Sequence, residues 1–173
     1  ETQTIEITPV TLLFGPNSVG KSTVLMSLAY IQEILGNGHC DPKRLFSLGD
    51  KPVGGFRSLV FSQDLERPIR IRIDYETGQT VFGDYASEVE ELASHLGHPF
   101  LLMPDIGGSI NNGAIEVEVA WSKQFAQAYV RHYRTWINGK FVAQVSSSED
   151  LKNTRVSELN TDHPILQPEA NEE

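Results

Sequence analysis

The eight residues Gly15-Pro16-Asn17-Ser18-Val19-Gly20-Lys21-Ser22 fill every fixed position of the pattern G-x-x-x-x-G-K-[ST]. That pattern constrains the chain around it to a strand, a tight phosphate-binding turn and a helix. The flanks comply. Val10-Thr11-Leu12-Leu13-Phe14 is a short β-rich run that ends at Gly15 and predicts a buried strand. Residues 21–35 hold no Gly or Pro and predict a helix, closed by Gly36-Asn37-Gly38. A chance glycine-rich turn is the competing reading, and the agreement of motif with context decides against it.

Each residue type has a separate physical reason. Nucleotide phosphates carry several negative charges, and consecutive backbone N–H groups converging on one point bind them without side-chain bulk. Gly15 and Gly20 therefore supply turn geometry and close approach, while Ser18, Val19, Gly20, Lys21 and Ser22 supply N–H groups. The helix that follows adds its unpaired N–H groups and the positive end of its dipole. Lys21 is placed to reach the β- and γ-phosphates, and the Ser22 hydroxyl to complete a Mg²⁺ shell of water and phosphate oxygen.

At 173 residues the chain suits one domain of ordinary size, and 39% apolar residues are enough for a core. Fourteen basic against 23 acidic residues give a net charge of −9, without a basic run. Nucleic acid is therefore a partner to expect through another part of an assembly rather than through this acidic chain alone. Cys40 is the single cysteine, which excludes an internal disulfide and fits a cytoplasmic setting; beside it, His39 reads as a solvated loop residue rather than a ligand. No membrane span or signal peptide is visible. The chain starts on Glu1 within a strand-like pattern, which reads as an excised fragment. Residues 146–173 contain no aromatic residue and read as a polar tail or connector after a first unit of residues 1–145.

Along the chain, Ile5 and Ile7 mark an alternating strand ahead of Thr8-Pro9. In the helix, Val24, Leu28, Ile31 and Leu35 form the predicted buried stripe, with Met26, Tyr30 and Glu33 off it. Pro68-Ile69-Arg70-Ile71-Arg72-Ile73-Asp74-Tyr75-Glu76 alternates strictly and predicts a strand with Arg70, Arg72 and Asp74 outward. Asp84 caps a short amphipathic helix carrying Val89, Leu92, Ala93 and Leu96. Phe100-Leu101-Leu102-Met103-Pro104-Asp105 imitates a Walker B strand, but Pro104 cannot donate to a central ladder and no second acid follows Asp105. Residues 114–121 alternate with Ile115, Val117 and Val119 inward, and Asn138-Gly139 joins two further strands in a tight hairpin. Trp121, Tyr133 and Trp136 read as cross-strand packing rather than a base-stacking platform, because no basic groove accompanies them in the sequence.

The run Ile7-Thr8-Pro9-Val10-Thr11-Leu12-Leu13-Phe14-Gly15-Pro16-Asn17-Ser18-Val19-Gly20-Lys21-Ser22-Thr23 resembles the start of an AAA-type P-loop ATPase of the ABC/SMC-like branch. The segments Gly54-Gly55-Phe56-Arg57-Ser58-Leu59-Val60-Phe61 and Glu66-Arg67-Pro68-Ile69-Arg70-Ile71 resemble the bacterial OLD-family, Septu-type and retron-associated defence ATPases within it. The resemblance covers about the first 76 residues. It implies an α/β P-loop NTPase head with an antiparallel β subdomain and binding of ATP with Mg²⁺. It assigns that binding to Gly15, Asn17, Ser18, Val19, Gly20, Lys21, Ser22 and Thr23, with Lys21 catalytic and Ser22 and Gln63 as the metal-facing residues. It further implies a homodimer of heads, hydrolysis completed by a missing C-terminal half, and an effector or nuclease partner in DNA repair or phage defence. The Leu-Ser-Gly-Gly signature, a Walker B pair and a switch His are missing from these residues, so half of an active site is expected here. A nucleotide-gated interaction module that holds an effector with little hydrolysis is the alternative. The chain has no Asn-Lys-x-Asp tetrad, which weighs against a GTPase.

Overall fold

A computed structural model describes residues 3–16, 20–38, 40, 55–76 and 110–166. Helix α1 spans Lys21–Asn37 and the one-turn helix α2 spans Phe56–Leu59. Strands β1 (Ile69–Glu76), β2 (Asn112–Ser122), β3 (Gln127–Ile137), β4 (Lys140–Ser147) and β5 (Thr154–Leu159) follow. They form one five-stranded sheet in sequential order, antiparallel at every pairing.

The tight hairpin joins β3 to β4. Asn138 and Gly139 both take left-handed backbone, at φ 50° and 73°, the turn whose twist matches that of the flanking strands. On β2, Ile115, Val117, Val119 and Trp121 point to the face that carries α1 and α2, where Ile69, Ile71 and Ile73 of β1 join them. Val117 and Val119 are completely buried, and each contributes about 1.5–3 kcal/mol of transfer free energy. Trp121 stacks on Phe56 with ring centres 5.9 Å apart.

The helix lies on this sheet through a stripe that keeps Ile31 of the predicted one but not Leu28 or Leu35. Tyr30, Ile31 and Ile34 are its buried residues, whereas Leu28 and Leu35 are 36% and 44% exposed. Tyr30 turns inward because its hydroxyl finds a partner, donating to the Cys40 carbonyl at 2.8 Å. The helix also runs through Gly36 and Asn37 to Gly38, whose left-handed backbone sends its N–H to the Ile34 carbonyl at 3.1 Å.

Two further expectations differ from the structure. Residues 3–16 form no strand, and Val10, Leu12 and Phe14 are 78%, 70% and 85% exposed. Pro9 and the hydroxyls of Thr8 and Thr11 divert this backbone into a local turn: the Thr8 N–H donates to Thr11 Oγ1 at 2.8 Å and Thr11 Oγ1 donates back to the Thr8 carbonyl at 3.1 Å. Those bonds replace the ladder that a neighbouring strand would supply. The polar stretch from residue 146 is likewise no loose tail where it is described. β4 runs to Ser147, β5 pairs with it, and beyond β5 the Asn160 N–H donates to the Val142 carbonyl at 2.8 Å. Backbone pairing with β4 orders a strand whose own side chains bury little.

All strand pairs among the described residues are antiparallel, so the α/β core that the resemblance implies is not assembled among them. The predicted amphipathic helix after Asp84 and the run from Phe100 to Asp105 lie outside the described residues. Among the described residues no helix is long and apolar enough to cross a membrane.

Candidate functional site

The loop ahead of α1 is described at Gly15, Pro16 and Gly20, while Asn17, Ser18 and Val19 lie outside the described residues. Gly20 is the N-cap of α1 at φ 93°, ψ 8°, a left-handed conformation that a side chain would strain, and no side chain caps the helix. No acidic residue occupies the first turn, so the helix offers its unpaired N–H groups and positive dipole end without internal neutralisation. Ser22 and Thr23 are exposed in that turn.

Lys21 reaches back over the loop. Its ammonium donates to the Gly15 carbonyl at 2.7 Å and to the Pro16 carbonyl. Two carbonyls six and five residues upstream thus anchor the charge at the mouth of the helix, and the loop closes into a ring. A charge held there, beside open amides, suits an anion with several oxygens.

Gln63 belongs to a different element. It ends a single 3₁₀ turn, Phe61–Gln63, in which Ser62 and Gln63 both adopt left-handed backbone at φ 56° and 57°. Such positions cost about 1–3 kcal/mol each in a residue other than glycine. The Gln63 side chain is exposed, and the hydrogen bonds of the described residues join Lys21 to Gly15 and Pro16 but not Gln63 to Ser22. Among the described residues there is no group of three or more His, Cys, Asp or Glu able to hold a metal ion. Any metal here would depend on Ser22, water and the ligand's own oxygens.

A second constellation occupies the sheet face opposite the helices. Glu118, only 2% exposed, receives Arg70 Nη2 at 2.5 Å on one oxygen and Arg131 Nε at 2.7 Å on the other. Arg134 bonds Glu116 and Gln144, each at 2.5 Å. A bulge positions Arg131: the register moves from Glu118 opposite His132 to Val119 opposite Val130, and the extra residue turns its side chain onto Glu118. His132 bonds Ser146 at 2.9 Å, and Ser146 bonds Ser157 at 2.6 Å. The signal in the sequence was complementary alternation, since Arg70 and Arg72, Glu116 and Glu118, and Arg131 and Arg134 lie on successive strands.

Burial pushes the Glu118 carboxyl up, but hydrogen bonds from Arg70 and Arg131 outweigh it and hold its pKa below the ordinary value. A depressed folded pKa means stability that is present above the unfolded value of 4.5 and lost as pH falls through the folded one. Thermal unfolding of the parent and of Glu118→Gln should therefore differ most near neutral pH, and the gap should narrow below about pH 4. A gap independent of pH would contradict the ion-pair account of this face.

Comparison with protein-family models, with curated proteins and with solved structures finds no match to this chain.

Proposed function

We infer that this chain binds Mg-ATP through Gly15, Asn17, Ser18, Val19, Gly20, Lys21, Ser22 and Thr23, as the N-terminal part of a larger SMC-like P-loop ATPase. The observation that carries the reading is the ring closed by Lys21 on Gly15 and Pro16 at the uncapped start of α1. A polyphosphate brings its own oxygens to that position, where the Lys21 ammonium and the helix amides oppose its charge.

Little covalent work falls to protein in phosphoryl transfer, so these groups act by positioning and charge neutralisation. When bound, Mg²⁺ supplies further neutralisation of the β- and γ-oxygens; Ser22 is the residue of this chain that would hold it, and Gln63 is the second candidate. The acid that orients the attacking water is assigned to a part of the protein beyond these residues. Turnover thus belongs to the complete assembly of two heads, acting in DNA repair or phage defence, and binding belongs to this chain.

Ser22→Ala tests the metal assignment. The variant should still bind nucleotide weakly but lose the gain in affinity that Mg²⁺ confers on the parent. An equally steep response to Mg²⁺ in both proteins would remove Ser22 from the metal shell. Absence of phosphate release alongside Mg-dependent binding fits either an incomplete ATPase head or a nucleotide-gated module that holds an effector. Phosphate release after adding the rest of the protein separates the two.

A further inference from the structure

Five of the chain's eight arginines gather on the sheet face opposite α1, although the chain as a whole is acidic. Arg70 and Arg72 come from β1, Arg131 and Arg134 from β3, and Arg155 from β5, where it lies opposite Ser146. The carboxylates paired with Arg70, Arg131 and Arg134 lie beneath them, whereas the Asp74 paired with Arg72 is exposed. Glu118 and Glu116 are 2% and 15% exposed in their side chains, against 58% for Arg70, 41% for Arg72 and 39% for Arg131. Around Arg70 and Arg131 the outer layer is therefore cationic over a bed of Glu116 and Glu118, whereas Arg72 shares the surface with Asp74, itself 64% exposed.

The bed also orients the guanidinium groups. Arg70 and Arg131 each spend Nε and Nη2 on Glu118, and Arg72 spends the same two nitrogens on Asp74. Among the described residues this leaves Nη1 of all three without a protein acceptor. Three planar forks are held at fixed positions, each with donors to spare for a phosphate oxygen.

An aromatic stack lies at one end of the row. The Arg72 guanidinium carbon sits 4.3 Å from the centre of the Trp136 ring, and Asp74 holds its plane. Beside it opens a shallow pocket of about 320 Å³ whose lining includes Arg72, Asp74, Tyr75, Glu76, Gly113 and Trp136. Tyr75 covers Gly113 so closely that a Cβ there would lie 2.6 Å from its ring. The other two aromatic residues of the sequence pattern are used differently: Tyr133 and Trp121 pack against the core on the helix side.

We propose that this face binds single-stranded nucleic acid, with Arg70, Arg72 and Arg131 on consecutive phosphates and one unpaired base stacked on the Arg72 plane above Trp136. A sheet face offers neither a helix nor a ribbon to enter a duplex groove, whereas an unpaired base has a free π-face for a guanidinium plane. The same geometry favours nucleic acid over polyglutamate, whose side chains carry no ring to stack on the Arg72 plane. The proposal is independent of the nucleotide loop, which lies at the start of a helix on the other face.

The test is fluorescence anisotropy of the full chain with a labelled single-stranded DNA of about 16 nucleotides. Binding should weaken with salt along a log–log slope of about −2, as three phosphate contacts require. Arg72→Ala, at an exposed position that leaves the fold intact by circular dichroism, should bind about tenfold more weakly with a slope shallower by about 0.7. Lys21→Ala, whose change lies at the nucleotide loop on the other face, should bind like the parent. Failure of the parent to bind, parental affinity in Arg72→Ala, loss of binding in Lys21→Ala, or competition by duplex DNA or polyglutamate equal to that by the single strand would each overturn the proposal.

Discussion

Replacing Phe56 by alanine should lower the free energy of unfolding by about 3–5 kcal/mol, read as a shift in the urea midpoint at unchanged slope. Phe56 is 1% exposed and belongs to a helix of only four residues, so burial rather than helix propensity holds it in place. Its ring stacks on Trp121 of β2 at an interplanar angle of 19° and shares one cluster with Tyr30, Ile31 and Ile34 of α1 and with Val117 and Val119. Truncation would open a void between sheet and helices and also remove an aromatic contact worth about 0.5–1.5 kcal/mol. Since domains of this kind are stable by about 5–15 kcal/mol, the loss is a large share of the total. A cost below about 1 kcal/mol would mean that the helices do not pack on this sheet in solution.

Lys21→Ala should lower the affinity for Mg-ATP tenfold or more. The removed contact is a charge-assisted one, worth about 1.5–3 kcal/mol. The same change also removes the bonds to the Gly15 and Pro16 carbonyls, so part of the loss reflects a loop that no longer closes. The core is untouched, because Lys21 contributes nothing to the buried cluster, and the urea midpoint should stay within about 0.5 kcal/mol of the parent. Equal nucleotide affinity in mutant and parent would remove Lys21 from the site.

What the sequence made legible was local. The turn at Asn138 and Gly139 depends on two adjacent residues that accept positive φ, and strict alternation over Ile69, Ile71 and Ile73 fixed the wet and dry faces of β1. On α1, Ile31 is buried as its spacing implies but Leu28 and Leu35 are not, because apolar residues occur on more than one side of the helix. Tyr30 became the buried choice through a hydroxyl bond to Cys40, a partner ten residues away. β5 left almost no trace, since Thr154–Leu159 earns its conformation from the β4 ladder and not from apolar side chains. The run of residues 10–14 looks like a strand, yet a strand exists only with a neighbour, and here Thr8 and Thr11 satisfy the backbone instead.

The candidate loop followed the same division. Glycine at position 20 and the lysine after it were readable because a left-handed turn and a charge at a helix start are properties of single residues. The arginine face was not, because its components come from β1, β3 and β5 and become one surface only through antiparallel register. Trp136 illustrates the consequence. It packs across the strands on Phe141, as the alternation implies, and only in the sheet does it also lie under Arg72.

The measurement that bears most directly on the nucleotide assignment is an equilibrium titration of this chain with a fluorescent ATP analogue, with and without Mg²⁺. Saturable binding that tightens when Mg²⁺ is present is the predicted result. A flat titration under both conditions, or saturation indifferent to Mg²⁺, would contradict the assignment of the Lys21 ring as a Mg-ATP site.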